Sequence, residues 1–170
     1  MTSNKSFLKK YESEIFKKTL KKIQKQKFWI PNEIFEIIHS TFSMWTIEII
    51  ILQDNKVFLI KTPKHFKKGL WCLPGGYNRW DEEIFTSCER IANREIGISV
   101  KPLKSLGIYK WKEGEHPYGR PLSVFILCKP LRNIKDSFFG KLFDFRKLPK
   151  MIPCQEKFLK SLHDKKITTQ

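Results

Sequence analysis

Apolar and polar positions follow two different rhythms along this chain. Phe7, Leu8, Tyr11, Ile15, Phe16, Leu20 and Ile23 fall along one helical face, with lysines crowding the rest, so residues 6–27 are predicted to form an amphipathic helix. Pro31 and Asn32 start a second, short helix over residues 33–39. The centre is β-rich. Residues 45–52 and 57–61 read as strands around a turn at 53–56, and residues 70–73 as a short extended piece before Pro74-Gly75-Gly76. Residues 86–96 return to helical spacing and stop at Gly97, a suitable cap. Residues 105–111 and 122–128 read as further strands, separated by a polar loop, 112–121, that carries Gly114, Gly119 and two prolines. A last helix is predicted over 154–165, with Pro153 in its first turn.

That order predicts an α/β (α+β) architecture, an α/β/α layering over a mixed sheet with an added N-terminal helix. The chain has 170 residues, enough for one domain with a substantial core. We expect a basic helical segment over residues 1–29 and one domain over 30–170.

Charge and cysteines narrow the classes. The net charge is +16. It points either to an anionic partner (RNA, a phosphorylated small molecule, a membrane surface) or to a general surplus of lysine; charge of this size governs encounter and solubility, not fold. Residues 6–27 share the ambiguity. They read as a membrane or nucleic-acid helix, or as a terminal helix packed on the domain or on a second copy in a homodimer. Cys72, Cys88, Cys128 and Cys154 form no C-x-x-C pair and no zinc-like spacing, which suggests reduced core residues in a cytoplasmic protein. Residues 1–10 lack the apolar stretch of a secretory signal, and the longest apolar run, 47–52, contains Glu48 and is too short for a transmembrane segment.

The chemistry concentrates in residues 76–98. Gly76 is followed at fixed spacing by Glu82, Arg90, Glu95, Gly97 and Ile98, after a Leu73-Pro74-Gly75 lead-in. The segment resembles the Nudix box, G-x5-E-x7-R-E-U-x-E-E-x-G-U with U aliphatic, in the strand–loop–helix context that motif needs. The resemblance implies a Nudix-type α/β/α sandwich that binds a nucleotide diphosphate-linked small molecule with Mg2+, or Mn2+ in its place. Gly76 would give a tight backbone path and a carbonyl for the metal, Glu82 and Arg90 would tie loop to helix, and Glu95 would be a metal ligand and catalytic residue. Two positions depart: Ile91 and Arg94 stand where the box has Glu.

Residues 69–76 and 89–98 look like the GDP-mannose mannosyl hydrolase branch, and the wider similarity spans roughly residues 30–150. That branch tolerates an aliphatic residue after the box Arg, uses one Mg2+ and displaces at the sugar carbon. Its late-loop His is replaced here by Phe138 and Phe139, so His116, flanked by Glu113 and Glu115, becomes the candidate base. Lys61, Lys64, Arg79 and Arg120 are candidates for the diphosphate, and Tyr118, Trp80, Trp111 and Phe138 for stacking on a base. His65 reads as polar surface and Asp136 as a base or a surface turn residue, while His39, ending the short helix, and His163, in the last one, are given no role. The competing expectation is a nucleotide- or RNA-binding module without turnover, in which Arg94 puts a cation where a metal was.

Overall fold

The computed structural model describes residues 8–25, 30–62, 66 and 69–164, and no side chain beyond residue 162. Expectations placed on Lys64, His65 and the His163 side chain lie outside the described residues. The chain divides into two compact units, Met1–Ile38 and His39–Gln170, parting within the second helix.

The first unit holds α1 (Lys10–Lys25) and most of α2 (Asn32–Thr41). Glu12 sits in the first turn of α1 and accepts the Lys9 N–H at 2.6 Å, while Lys22 and Lys25 lie in its last turn. Both arrangements suit the helix dipole.

The second unit follows with β1 (Trp45–Gln53), β2 (Lys56–Lys61), β3 (Trp71–Cys72), β4 (Gly75–Tyr77), α3 (Ile84–Ile96), β5 (Val100–Lys110), β6 (Leu122–Pro130), β7 (Gly140–Asp144) and α4 (Pro153–Asp164). The strands form one mixed sheet of order β3-β2-β1-β6-β5, with β4 added on β1 and β7 on β2. β1 and β6 pair in parallel over Trp45↔Leu122 to Ile51↔Cys128. The first hairpin turns through Asp54 and Asn55, both at positive φ (50° and 59°), the paired conformation that matches strand twist.

Strand alternation decides which helix each side chain meets. Ile47, Ile49 and Ile51 pack with Cys88, Ile91, Ala92 and Ile96 of α3. Ile50, Phe125 and Leu127 pack on the other face with Leu159 and Leu162 of α4. Being covered on both sides, β1 is apolar at almost every position, and this gives the run at 47–52. All four cysteines are buried free thiols, and Cys88 and Cys128 bring their Sγ atoms to 3.3 Å between α3 and β6.

Two strands escape the sequence pattern. β4 follows Pro74 and contains two glycines, the signature of a turn, yet it pairs antiparallel with β1 at Thr46↔Tyr77, Ile47↔Gly76 and Glu48↔Gly75. β7 begins at Gly140, where an added Cβ would collide with the Leu59 carbonyl. β5 also starts earlier than the pattern suggests, crossing Pro102 with register shifts near Pro102 and Ser105.

α3 stops where predicted. Gly97 has φ 64°, its N–H reaches Asn93 O at 3.1 Å, and Ile98 N reaches Ala92 O at 3.4 Å. Nothing lies within 4 Å of a Cβ added there, so Gly97→Ala tests backbone strain alone. We expect it to lower stability by about 1 kcal/mol in urea unfolding, without a change in m-value.

Candidate active site

The loop between β4 and α3 is fixed by one carboxylate. Glu82 accepts Arg90 Nε at 2.7 and 2.8 Å on its two oxygens and Ser87 Oγ at 2.6 Å. Arg79 Nη1 approaches it at 3.5 Å. Arg90 also donates Nη2 to Tyr77 O at 3.0 Å, so a single guanidinium ties β4, the loop and the helix. Burial pushes the Glu82 carboxyl up, but hydrogen bonds from Arg90 and Ser87 and the charges of Arg90 and Arg79 outweigh it and hold the group below the usual carboxylate range. The expected role of this pair is the observed geometry.

Gly76 needs a different account from the one its sequence suggests. It lies in the paired strand β4, outside the positive-φ glycines, so it makes no tight turn. What it provides is close approach. A Cβ there would sit 3.4 Å from Ile91 Cγ1 and 3.5 Å from Arg94 Nη2.

The helical carboxylate is placed differently too. Ile91 is fully buried in the core facing β1, so the position that would share a face with Glu95 points away from solvent. Glu95 lies at the exposed edge and accepts Arg94 Nε at 2.9 Å and Arg94 Nη2 at 2.7 Å, both on Oε1. Among the described residues Arg94 is its hydrogen-bond and ion-pair partner.

Nudix hydrolases generally use divalent metals, which raises the question of fit. Among the described residues no three His, Cys, Asp or Glu side chains are grouped as a metal site. The Glu82 oxygens are taken by Arg90 and Ser87, Glu95 faces a guanidinium, and that guanidinium lies beside Gly76. The expected Mg2+ or Mn2+ site on Gly76 and Glu95 would therefore rest on one carboxylate, and an ion there would have to displace the exposed Arg94 guanidinium from it.

The other candidates scatter. Lys61 places its ammonium 4.1 Å over the Trp71 ring, a cation–π contact on the β2–β3 edge. Arg120 is exposed, and its carbonyl accepts Ser43 Oγ at 3.3 Å. His116 stands 5.1 Å from Trp111 and 6.0 Å from Tyr118, centroid to centroid. Its Nδ1 accepts the Tyr118 N–H at 3.2 Å, which leaves the imidazole proton on Nε2. That contact occupies the Nδ1 lone pair. Trp111 is buried with its Nε1 on Ser123 Oγ at 2.6 Å and cannot stack on a ligand, whereas Trp80 and Phe138 are wholly outside the core. Asp136 accepts Leu142 N at 3.0 Å, a turn role as expected.

Sequence reasoning missed a buried network. Glu48 Oε1 accepts Ser123 Oγ at 3.0 Å, and Glu48 Oε2 accepts Gln155 Nε2 at 2.8 Å. Ser123 Oγ lies 2.6 Å from Thr46 Oγ1, and Gln155 Oε1 accepts Leu73 N at 2.9 Å. The network thus links β1, β6 and α4 to the strand lead-in just before Gly75-Gly76. Its signal was Glu48 itself, a carboxylate inside an apolar strand. Burial raises this carboxyl to about 8, against a smaller lowering by Ser123.

A cavity of about 240 Å3 opens beside the box loop, lined by Trp45, Thr46, Ile47, Asn78, Ile84 and Val124. One end of the Asn78 amide donates to Arg79 O at 3.0 Å, and the other, Oδ1, is buried with no hydrogen-bond partner among the described residues.

This geometry has a family. Residues 44–156 match the NUDIX domain, and the chain belongs to that family; it is a Nudix hydrolase by class. An ADP-ribose pyrophosphatase of Methanocaldococcus jannaschii is 29% identical over 158 residues, covering 91% of this chain and 85% of that protein. Among solved structures, a UDP-X diphosphatase superposes with a TM-score of 0.59 at 16% identity, covering 89% of this chain and 80% of the other. A MutT NUDIX hydrolase from Burkholderia pseudomallei gives 0.58 at 19%, covering 70% and 97%. An ADP-ribose pyrophosphatase from Streptococcus suis gives 0.54 at 21%, covering 74% and 94%. These structures share the fold. No helix among the described residues is long and apolar enough to cross a membrane.

Two substitutions test the site's electrostatics. Arg90→Ala should cost about 3 kcal/mol in denaturant unfolding, because it strands the largely buried Glu82 carboxylate and the Tyr77 carbonyl. Glu48 has the opposite pH sense from Glu82. Its folded pKa, about 8, lies above the unfolded value of 4.5, so its contribution is complete below the lower value and is lost as pH rises through the upper one. Between those limits stability should fall by an amount on the order of 5 kcal/mol. Thermal melts against pH should show this slope, and Glu48→Gln should flatten it.

Proposed function

We propose that this chain hydrolyses a nucleoside diphosphate linked to a ribose or sugar, of the ADP-ribose or UDP-sugar kind. The observation that carries the reading is the intact loop–helix lock, Glu82 on Arg90, which presents Gly76 and the Arg94–Glu95 pair at one exposed edge. The name of the Methanocaldococcus relative, ADP-ribose pyrophosphatase, supports this substrate class, since the likeness runs along nine-tenths of the chain. GDP-mannose belongs to the same class and remains a substrate to test.

In this reading the diphosphate lies against Gly76 and its charge is met by Arg94. The Glu95 carboxylate, with Oε2 outside the Arg94 contact, takes a proton from a water whose oxygen bonds to one phosphorus of the diphosphate as the bridging P–O bond breaks and the second phosphate leaves with the bridging oxygen. The nucleoside base enters the cavity beside Trp45 and Ile84; about 240 Å3 suits one heteroaromatic ring. The surplus of lysines favours capture of an anionic substrate. Four buried free thiols suit a reducing, cytoplasmic setting.

A second reading, nucleotide binding without turnover, is favoured by the guanidinium on Glu95. The two separate in one assay. ADP-ribose, a UDP-sugar and GDP-mannose are incubated with the enzyme, with and without Mg2+, and released nucleotides are measured. We expect turnover of at least one, and a fall in kcat of about 100-fold in Glu95→Gln. Absence of turnover across the panel would leave binding as the function.

A further inference from the structure

The structure departs from the family box at one charge. Position 94, a carboxylate in the full box, is an arginine whose Nη2 lies 3.5 Å from where a Gly76 side chain would begin. We propose that Arg94 is a resident cation that binds the substrate diphosphate directly, so that diphosphate binding by this chain needs no divalent ion. The inference rests on the hydrolase reading for its ligand, but not for its test.

Three box arginines could meet a diphosphate, and their contacts separate them. Arg90 is committed to Glu82 and Tyr77 O in a site where both side chains are largely buried. Arg79 shares the same Glu82 at 3.5 Å. Arg94 faces Glu95 alone among described carboxylates, with side-chain exposures of 55% and 37%.

That pair is weak and easily exchanged. Nε and Nη2 both fall on one oxygen, Oε1, so the contact lacks the two-oxygen fork of a strong arginine–carboxylate pair. Exposed pairs of this sort contribute little, and salt screens them. A diphosphate offers several anionic oxygens to the planar guanidinium and can engage it bidentately. The surroundings remove the competition. Ile91 is buried, so no carboxylate stands at the position that abuts Gly76. Gly76 carries no side chain, and a Cβ there would already touch Ile91 and Arg94 Nη2, so a phosphate meets the guanidinium from its solvent-exposed side. A divalent ion placed there would have to displace Arg94 and sit against its charge.

The test is binding in the absence of metal. Inorganic pyrophosphate is titrated into the full chain in excess EDTA, by calorimetry, and then again in Mg2+. We expect binding in EDTA, a change of less than about threefold on adding Mg2+, a loss of about tenfold or more in Arg94→Ala, and partial recovery in Arg94→Lys, which keeps the charge but not the fork. Glu95→Gln should bind as well or better, because it frees the guanidinium. Circular dichroism melts check that the variants fold. Binding that appears only with Mg2+ and vanishes in Glu95→Gln overturns the proposal while leaving the hydrolase reading intact. Metal-free binding lost in Arg94→Ala, in a protein that turns over no nucleotide derivative, upholds it and removes that reading instead.

Discussion

The loop–helix junction depends on the ion pair between Glu82 and Arg90. The carboxylate gains three hydrogen bonds from Arg90 and Ser87, and Arg90 spends its remaining reach on the Tyr77 carbonyl of β4. A pair this enclosed stabilises little relative to two apolar residues, but its loss leaves a charge stranded. It therefore acts as a specifier of geometry. With it in place, β4 stays on β1, Gly76 stays against Ile91, and the end of α3 is held near the strand.

Around that lock the unit sorts its carboxyls by environment. Glu82 is kept ionised by a guanidinium and a hydroxyl. Glu48, one strand away, is enclosed by Ser123 and Gln155 and is driven toward its neutral form by burial. Glu95 is left at the surface with an exposed partner. Of these three the last is the one at the surface, where its contact can be exchanged for a ligand, and so the chemistry of the site is expected there. The Glu48 network meanwhile fixes Leu73 and Gln155, holding the approach to Gly75 from the opposite face of the sheet.

The loop from 112 to 121 is held by its own side chains. Glu115 accepts the Tyr109 hydroxyl at 2.8 Å and the Lys112 N–H at 2.7 Å, and His116 accepts the Tyr118 N–H. These bonds fold the loop onto Trp111, whose indole reaches Ser123 in the buried network. Glu115 and His116 thus take part in holding a polar loop together, as groups do when a loop must satisfy its own backbone.

By itself the sequence determined β1, β2, α3, β5, β6 and α4 in their order, the helix stop at Gly97 and the Glu82–Arg90 tie. These are local or fixed-spacing features: apolar periodicity, a left-handed cap, and partners eight residues apart across one loop. Tertiary structure alone decided the rest. Pro74-Gly75-Gly76 reads as a turn, but pairing with β1 makes it a strand. Ile91 and Glu95 are one helical turn apart, and only the position of the sheet puts the first in the core and the second at the rim. Arg94 and Glu95 are adjacent in sequence, and neighbours on a helix do not ordinarily face each other. Their contact, and the nearness of Arg94 to Gly76, arise from the space that β4 leaves beside α3, which no pattern along the chain encodes.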